Sequence, residues 1–294
     1  MGLAGAHARM SIAQDAPAGL IDAHVHVWTP DTESYPISPN FEIKDMDPAS
    51  FLPSELQTAQ VGSGVARTVL IQMSFYEFDN RFMLKAIADH PGRFGGVAIV
   101  DHEKPAVGKT MRSLAERGVK GFRLYAFSDK VKHWEQSKGI ETMWKTGGTE
   151  GLAMCCLTDP ASLPLIHRMC QMHPETPVVI DHFARIGMRG DVDQKELDSL
   201  LRLADFPNTY VKTSAFYALG KKEPPYEDLA PLFRQVYNAF GSERLMWGSD
   251  CPYQIQGDHT YAASIGLVKD RLNFLTVEDK QNILQNTASK LFFS

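Results

Sequence analysis

Three histidines and one aspartate occupy positions where a protein seldom places ionisable groups without a use. His24 and His26 form an HxH pair at the end of the apolar run that begins at Leu20, His182 closes the run Pro177 to Ile180, and Asp250 closes the run Leu245 to Ser249. A buried carboxylate or imidazole is costly unless it is paired or coordinated, so placing four of them at the ends of three strand-like runs points to one shared polar centre. Two chemistries suit that set. Imidazole nitrogens and a carboxylate oxygen can hold one divalent ion, zinc by donor type, with a position left open. Alternatively the imidazoles polarise a carbonyl directly while Asp250 serves as general base. An HxH pair alone is equally explained by hydrogen-bonded strand histidines, and Asp250 alone by a turn cap before Pro252. Neither account relates the four residues to one another.

Further groups near predicted strand ends complete the candidate site. Arg123 and Arg185 are suited to clamp carboxylate oxygens, which favours a small anionic or polyhydroxylated substrate. Tyr76, Tyr125, Lys212 and Gln72 are added as substrate-binding candidates. Trp28, Tyr35, Phe75, Phe127 and Tyr253 follow strands and could wall a pocket or pack the core. His102, His133, His167, His173 and His259 find no partner in the pattern and receive no role.

These residues must be positioned by regular elements, and the chain supplies them in alternation. Strands are expected at Leu20–His26, Ala66–Met73, Phe94–Val100, Val119–Leu124, Leu152–Leu157, Pro177–His182, Thr209–Ser214 and Leu245–Ser249. Helices are expected at Pro53–Gly62, Asn80–Ala88, Ala106–Glu116, Ile140–Lys145, Ser162–Met172, Gln194–Leu203, Glu227–Ala239, Tyr261–Arg271 and Val277–Gln285. Eight βα units whose first strand ends in a histidine pair, with no glycine-rich phosphate loop, indicate a closed (β/α)8 TIM barrel of the α/β class. Strict alternation along the first strand sends Asp22, His24 and His26 to the barrel axis. It sends Ile21, Ala23, Val25 and Val27 to the surrounding helices.

Composition agrees with one large domain at residues 19–294, preceded by a flexible lead-in at 1–18. A length of 294 residues and 44% hydrophobic content suffice for a full core. The net charge of -5 and the absence of a basic run argue against nucleic acid. No apolar stretch approaches the roughly 20 residues of a membrane span. Four cysteines without a CxxC pair give neither a disulfide framework nor a thiolate metal site. The default location is cytoplasmic, with export of a processed chain left open, and oligomeric state is not legible.

From Leu20 to Phe293 the chain resembles the amidohydrolase-related branch of the amidohydrolase superfamily. The stretches that carry the likeness are IDAHVHVW, ARTVLIQMSFYEFDN, FGGVAIVD, VKGFRLYAF, PVVIDHFAR, VKTSA, RLMWGSDCPY and NTASKLF. Within the branch it is most similar to lactonases of pyrone dicarboxylates and sugar acids. The resemblance implies a barrel hydrolase that opens a cyclic ester, a lactone of a small sugar acid or carboxylated ring. Functional roles would fall at His24, His26, His182 and Asp250. The fifth strand, Leu152 to Leu157, lacks the Lys, Glu or His that serves two-metal relatives, so at most one ion is implied. A metal-free mechanism, known in the branch, stays open. The alternative activity is metal-dependent decarboxylation of a small carboxylic acid.

Overall fold

The apolar runs become strands that pair in strict chain order. In the computed structural model, which describes residues 19–294, β1 (Leu20–Val25), β2 (Val65–Ile71), β3 (Phe94–Ala98), β4 (Val119–Ala126), β5 (Ala153–Thr158), β6 (Val178–Ile180), β7 (Thr209–Ser214) and β8 (Leu245–Gly248) form one parallel sheet. The ends of the sheet meet at the mouth. Val25 bridges Cys251, the Asp250 amide donates to the His24 carbonyl at 2.8 Å, and the His26 amide donates to the Cys251 carbonyl at 2.9 Å. Gly248 is required at this seam, because a Cβ there would lie 2.7 Å from the His24 Cβ and 2.9 Å from its backbone nitrogen. The expected barrel is present. The proposed lead-in at 1–18 lies outside the described residues.

The main helices between strands are α1 (Pro53–Ala59), α2 (Arg81–Asp89), α3 (Val107–Ala115), the single turn α4 (Ser128–Val131), α5 (Lys138–Glu150), α6 (Leu163–Met172), α7 (Gln194–Leu201) and α8 (Ala230–Phe240). After β8 come α9 (Tyr261–Gly266), α10 (Val277–Gln281) and α11 (Thr287–Phe292). Helix α5 runs past the expected end at Lys145. Its Gly147 is not a breaker but a packing site, where a Cβ would meet the Leu152 carbonyl at 2.8 Å. Helix α11 was not anticipated. It closes the floor of the barrel, packing Leu291 and Phe292 against Ile21, Val69, Val97, Ala153, Val179 and Met246. A larger apolar layer lies outside the strands, where Val25, Leu70, Phe122, Ile180 and Trp247 meet the helices.

Alternation in β1 fails at a bulge, which corrects the expected facing of the strand. Asp22 pairs with Thr68 but Val25 pairs with Leu70, three steps on one strand against two on its neighbour. Ile21 and Ala23 therefore join the lumen cluster rather than the helix layer, while His24 and His26 still reach the mouth. Asp22 turns away from the axis. Its Oδ1 accepts from the Ser249 amide at 2.8 Å and the His24 amide at 3.2 Å, and its Oδ2 accepts from the Tyr261 hydroxyl at 2.7 Å. The carboxyl thus ties β1 to β8 and to α9.

Burial raises the Asp22 carboxyl from 3.8 to about 6, against the lowering effect of its hydrogen bonds to Ser249, Tyr261 and His24. A raised folded-state value means that this group's contribution to stability is present below 3.8 and is lost as pH rises through about 6. Asp22→Asn should remove that loss. Its unfolding free energy relative to wild type should rise by about 1–2 kcal/mol between pH 5 and pH 7, read by urea unfolding at the two pH values. A constant difference would contradict the assignment.

Candidate active site

The site is assembled where three strands stop in unusual backbone conformations. His182, Phe183, Ala184 and Arg185 have φ of 55, 50, 55 and 61°, a full turn of left-handed helix after β6. Ala215 after β7 and Asp250 after β8 are also left-handed, at 57 and 65°. Left-handed conformation costs L-residues about 1–2 kcal/mol each. The turn after β6 is held by the complete burial of Phe183, Ala184 and Ile186. Its effect is to end β6 at Ile180, two residues earlier than expected, and to bring Asp181 and His182, neighbours in sequence, into one polar cluster.

Asp250 lies at the centre of that cluster. Its Oδ1 is 3.5 Å from His24 Nε2 and 3.3 Å from His26 Nε2. Its Oδ2 accepts from the Tyr217 hydroxyl at 2.7 Å and lies 3.9 Å from His182 Nε2. Burial alone would raise the Asp250 carboxyl, but His182, the hydrogen bond from His26, and His24 together hold it below the ordinary carboxylate value. Burial lowers both His182 and, more strongly, His24, where the charge of Lys212 adds to the effect. Burial and the charge of Asp250 push the Tyr217 phenol up, so it remains a donor.

The second nitrogen of each imidazole faces a different partner. His26 Nδ1 is 2.9 Å from the Ile71 carbonyl, which can only accept, so Nδ1 carries hydrogen. His182 Nδ1 is 2.8 Å from Ser214 Oγ, which in turn lies 3.5 Å from the Lys212 carbonyl. With the serine hydrogen turned to that carbonyl, Nδ1 of His182 also carries hydrogen. The Nε2 atoms of both rings face the Asp250 carboxylate. Ligand atoms of His24, His182 and Asp250 lie within 4.8 Å of one another, and His24 Nε2 is buried without a hydrogen-bond partner. Among the described residues this donor set fits one divalent ion.

A cavity of about 400 Å³ opens above the cluster. His26, His182, Asp250 and Tyr217 form its reactive side, Arg123, Tyr125 and Arg185 supply polar wall, and Met73, Leu157, Met188, Leu219 and Tyr253 add apolar surface. Arg123 lies over the Tyr125 ring at 5.8 Å and Arg185 over Phe127 at 5.5 Å. The Arg123 Nε is buried and unpartnered. Three other expected binding residues lie elsewhere. Gln72 donates to the carbonyls of Glu77 and Asp79, Tyr76 contacts the Thr29 backbone, and Lys212 sits beneath His24. None lines this cavity. Sequence reasoning missed Tyr217, Asp181 and Ser214. Tyr217 comes from an irregular loop without a pattern, whereas Asp181 was visible as the neighbour of His182 but would face away in a regular strand.

Comparison with known proteins places the chain in a family. A family model described as amidohydrolase matches residues 21–293, and the chain belongs to that family. It is 26% identical over 288 residues to a 2-pyrone-4,6-dicarbaxylate hydrolase of Comamonas testosteroni, covering 94% of this chain and 91% of the relative. It is 27% identical over 281 residues to a 4-sulfomuconolactone hydrolase of Hydrogenophaga intermedia, covering 94% and 89%. Among solved structures, a putative 2-pyrone-4,6-dicarboxylic acid hydrolase from Pseudomonas putida superposes with a TM-score of 0.78 at 25% identity, covering 94% of this chain and 97% of that one. No helix of the described residues is long and apolar enough to cross a membrane.

Asparagine tolerates the left-handed region better than other non-glycine residues and keeps the shape of the side chain. Asp250→Asn should therefore melt close to wild type while turnover falls by about a hundredfold or more, the usual loss for a general base. Asp250→Ala should lose activity similarly and add about 1 kcal/mol of backbone strain. Thermal melts and turnover of the two variants check both statements. Near-wild-type turnover by folded Asp250→Asn would remove the carboxylate from the chemistry.

Proposed function

We propose that this amidohydrolase opens the ring of a small lactone that carries an anionic group. The observation that carries the reading is a buried carboxylate, Asp250, set among three imidazoles beneath a cavity whose wall holds two guanidinium groups. Arg123 and Arg185 bind the substrate's carboxylate or equivalent anion and fix its register. Asp250 removes a proton from water as the oxygen attacks the lactone carbonyl. The ring C–O bond then breaks, and the proton held by Asp250 passes to the departing ring oxygen, giving a hydroxy acid. Tyr217, bonded to Asp250 Oδ2, keeps Oδ1 turned towards His24 and His26. The names of the two curated relatives, both lactone hydrolases with anionic substrates, support this reading.

His24, His182 and Asp250, with His26 beside them, are the residues that would hold a divalent ion. Such an ion, zinc being the choice the donor set favours, would supply Lewis-acid polarisation of the carbonyl. Every step assigned above is carried by protein groups.

Assaying carboxylated and sulfonated lactones beside uncharged aldonolactones, with metal-loaded and chelator-treated protein, tests the reading. Ring-opened acid should appear only from lactones, with anionic ones preferred, and at most one ion should bind per chain at the mouth. Release of carbon dioxide without a ring-opened acid would transfer the site to decarboxylation. Arg123→Ala should raise KM about tenfold or more, as loss of a charged hydrogen bond does, with a smaller change in kcat. An unchanged KM on the preferred substrate would place the anion elsewhere.

A further inference from the structure

Beneath the mouth lies an ion pair that the reaction scheme does not use. Lys212 and Asp181 are both fully buried, with Lys212 Nζ 3.1 Å from Asp181 Oδ1. The same Nζ lies 3.2 Å from His24 Nδ1 and 5.6 Å from the centre of the Phe292 ring on the barrel floor. Arg123 approaches Asp181 Oδ2 at 3.9 Å. An ammonium and a carboxylate in a lumen closed by apolar side chains remain there only as partners, and removing one strands the other.

An ammonium has three hydrogens to give and no lone pair to offer. A hydrogen on His24 Nδ1 would therefore point at a cation 3.2 Å away, whereas a lone pair there accepts from it. The competing arrangement, in which Nδ1–H donates to Asp181 Oδ1, spans a longer 3.5 Å and keeps the repulsion. His24 thus differs from His26 and His182, whose Nδ1 atoms face a carbonyl and a hydroxyl oxygen. A neutral ring with a lone pair on Nδ1 carries its hydrogen on Nε2, the atom that faces Asp250 Oδ1 at 3.5 Å and has no other partner.

We propose that Lys212 and Asp181 are positioning residues that fix the metal-free His24 ring with its hydrogen on Nε2, directed at Asp250. The kinetic consequence rests on the lactonase reading, but the tautomer does not.

The test uses full-length, metal-free protein labelled with 15N-histidine. Long-range proton–nitrogen correlation spectra report which ring nitrogen carries hydrogen, and His24 is assigned by the signals lost in His24→Gln. The expected wild-type result is a protonated Nε2 and an unprotonated Nδ1, and the reverse pattern overturns the proposal whether or not any lactone is turned over. Lys212→Met should move the hydrogen to Nδ1, facing Asp181, and lower kcat by about ten- to a hundredfold, the usual effect of removing a residue that orients a site histidine. KM should change less than about threefold, because Lys212 does not line the cavity. An unaltered tautomer in folded Lys212→Met removes Lys212 from the role. If that variant does not fold, the wild-type spectrum decides alone.

Discussion

Closure of the barrel and assembly of the site are one event. Two backbone hydrogen bonds, from the Asp250 amide to the His24 carbonyl and from the His26 amide to the Cys251 carbonyl, join the first strand to the segment after the last. They also set the separation of the Asp250 carboxylate from two imidazoles. Gly248 lets the strands approach, and Asp22 holds the same seam from the outer side through Ser249 and Tyr261. A parallel barrel must join its first strand to its last, and this chain places its reactive groups where that joint is made. The geometry of the polar cluster is therefore tied to closure of the fold.

The strand ends add a second constraint of the opposite kind. A regular strand sends neighbouring residues to opposite faces, yet Asp181 and His182 both enter the polar cluster. The left-handed turn His182 to Arg185 resolves the conflict at a cost in backbone energy, and it carries Arg185 to the cavity wall in the same stroke. Its apolar members, Phe183 and Ala184, are wholly buried and supply the compensation. Strain concentrated beside the cavity and offset by packing behind it is a common division in enzymes.

How much of this the sequence reveals depends on the range of the interaction. The eight strands are local signals, apolar runs that close on an ionisable residue, and they form as expected, with His24, His26, His182 and Asp250 brought together at their ends. The bulge in β1 is not local, because it is measured only against the register of β2, so the facing of Asp22, Ile21 and Ala23 was misread. Lys212 is expected among the substrate-binding residues, but alternation cannot tell the mouth of a lumen from its depth, and the residue lies beneath His24, outside the cavity lining. Tyr217 reaches Asp250 from a loop, where no periodicity exists to be read. Helix α5 continues past the expected Lys145 to Glu150, and the close packing of Gly147 on the Leu152 carbonyl is a contact that local sequence does not display.

The floor of the barrel also guards the buried charge pair. Phe292, on the last helix described, lies beneath Lys212, and that helix covers the lumen on the side away from the mouth. It keeps the ammonium and the carboxylate of Asp181 in the dry surroundings that make their geometry selective. Loosening the packing of Phe292 would admit water from below and so disturb a centre a full barrel-depth away.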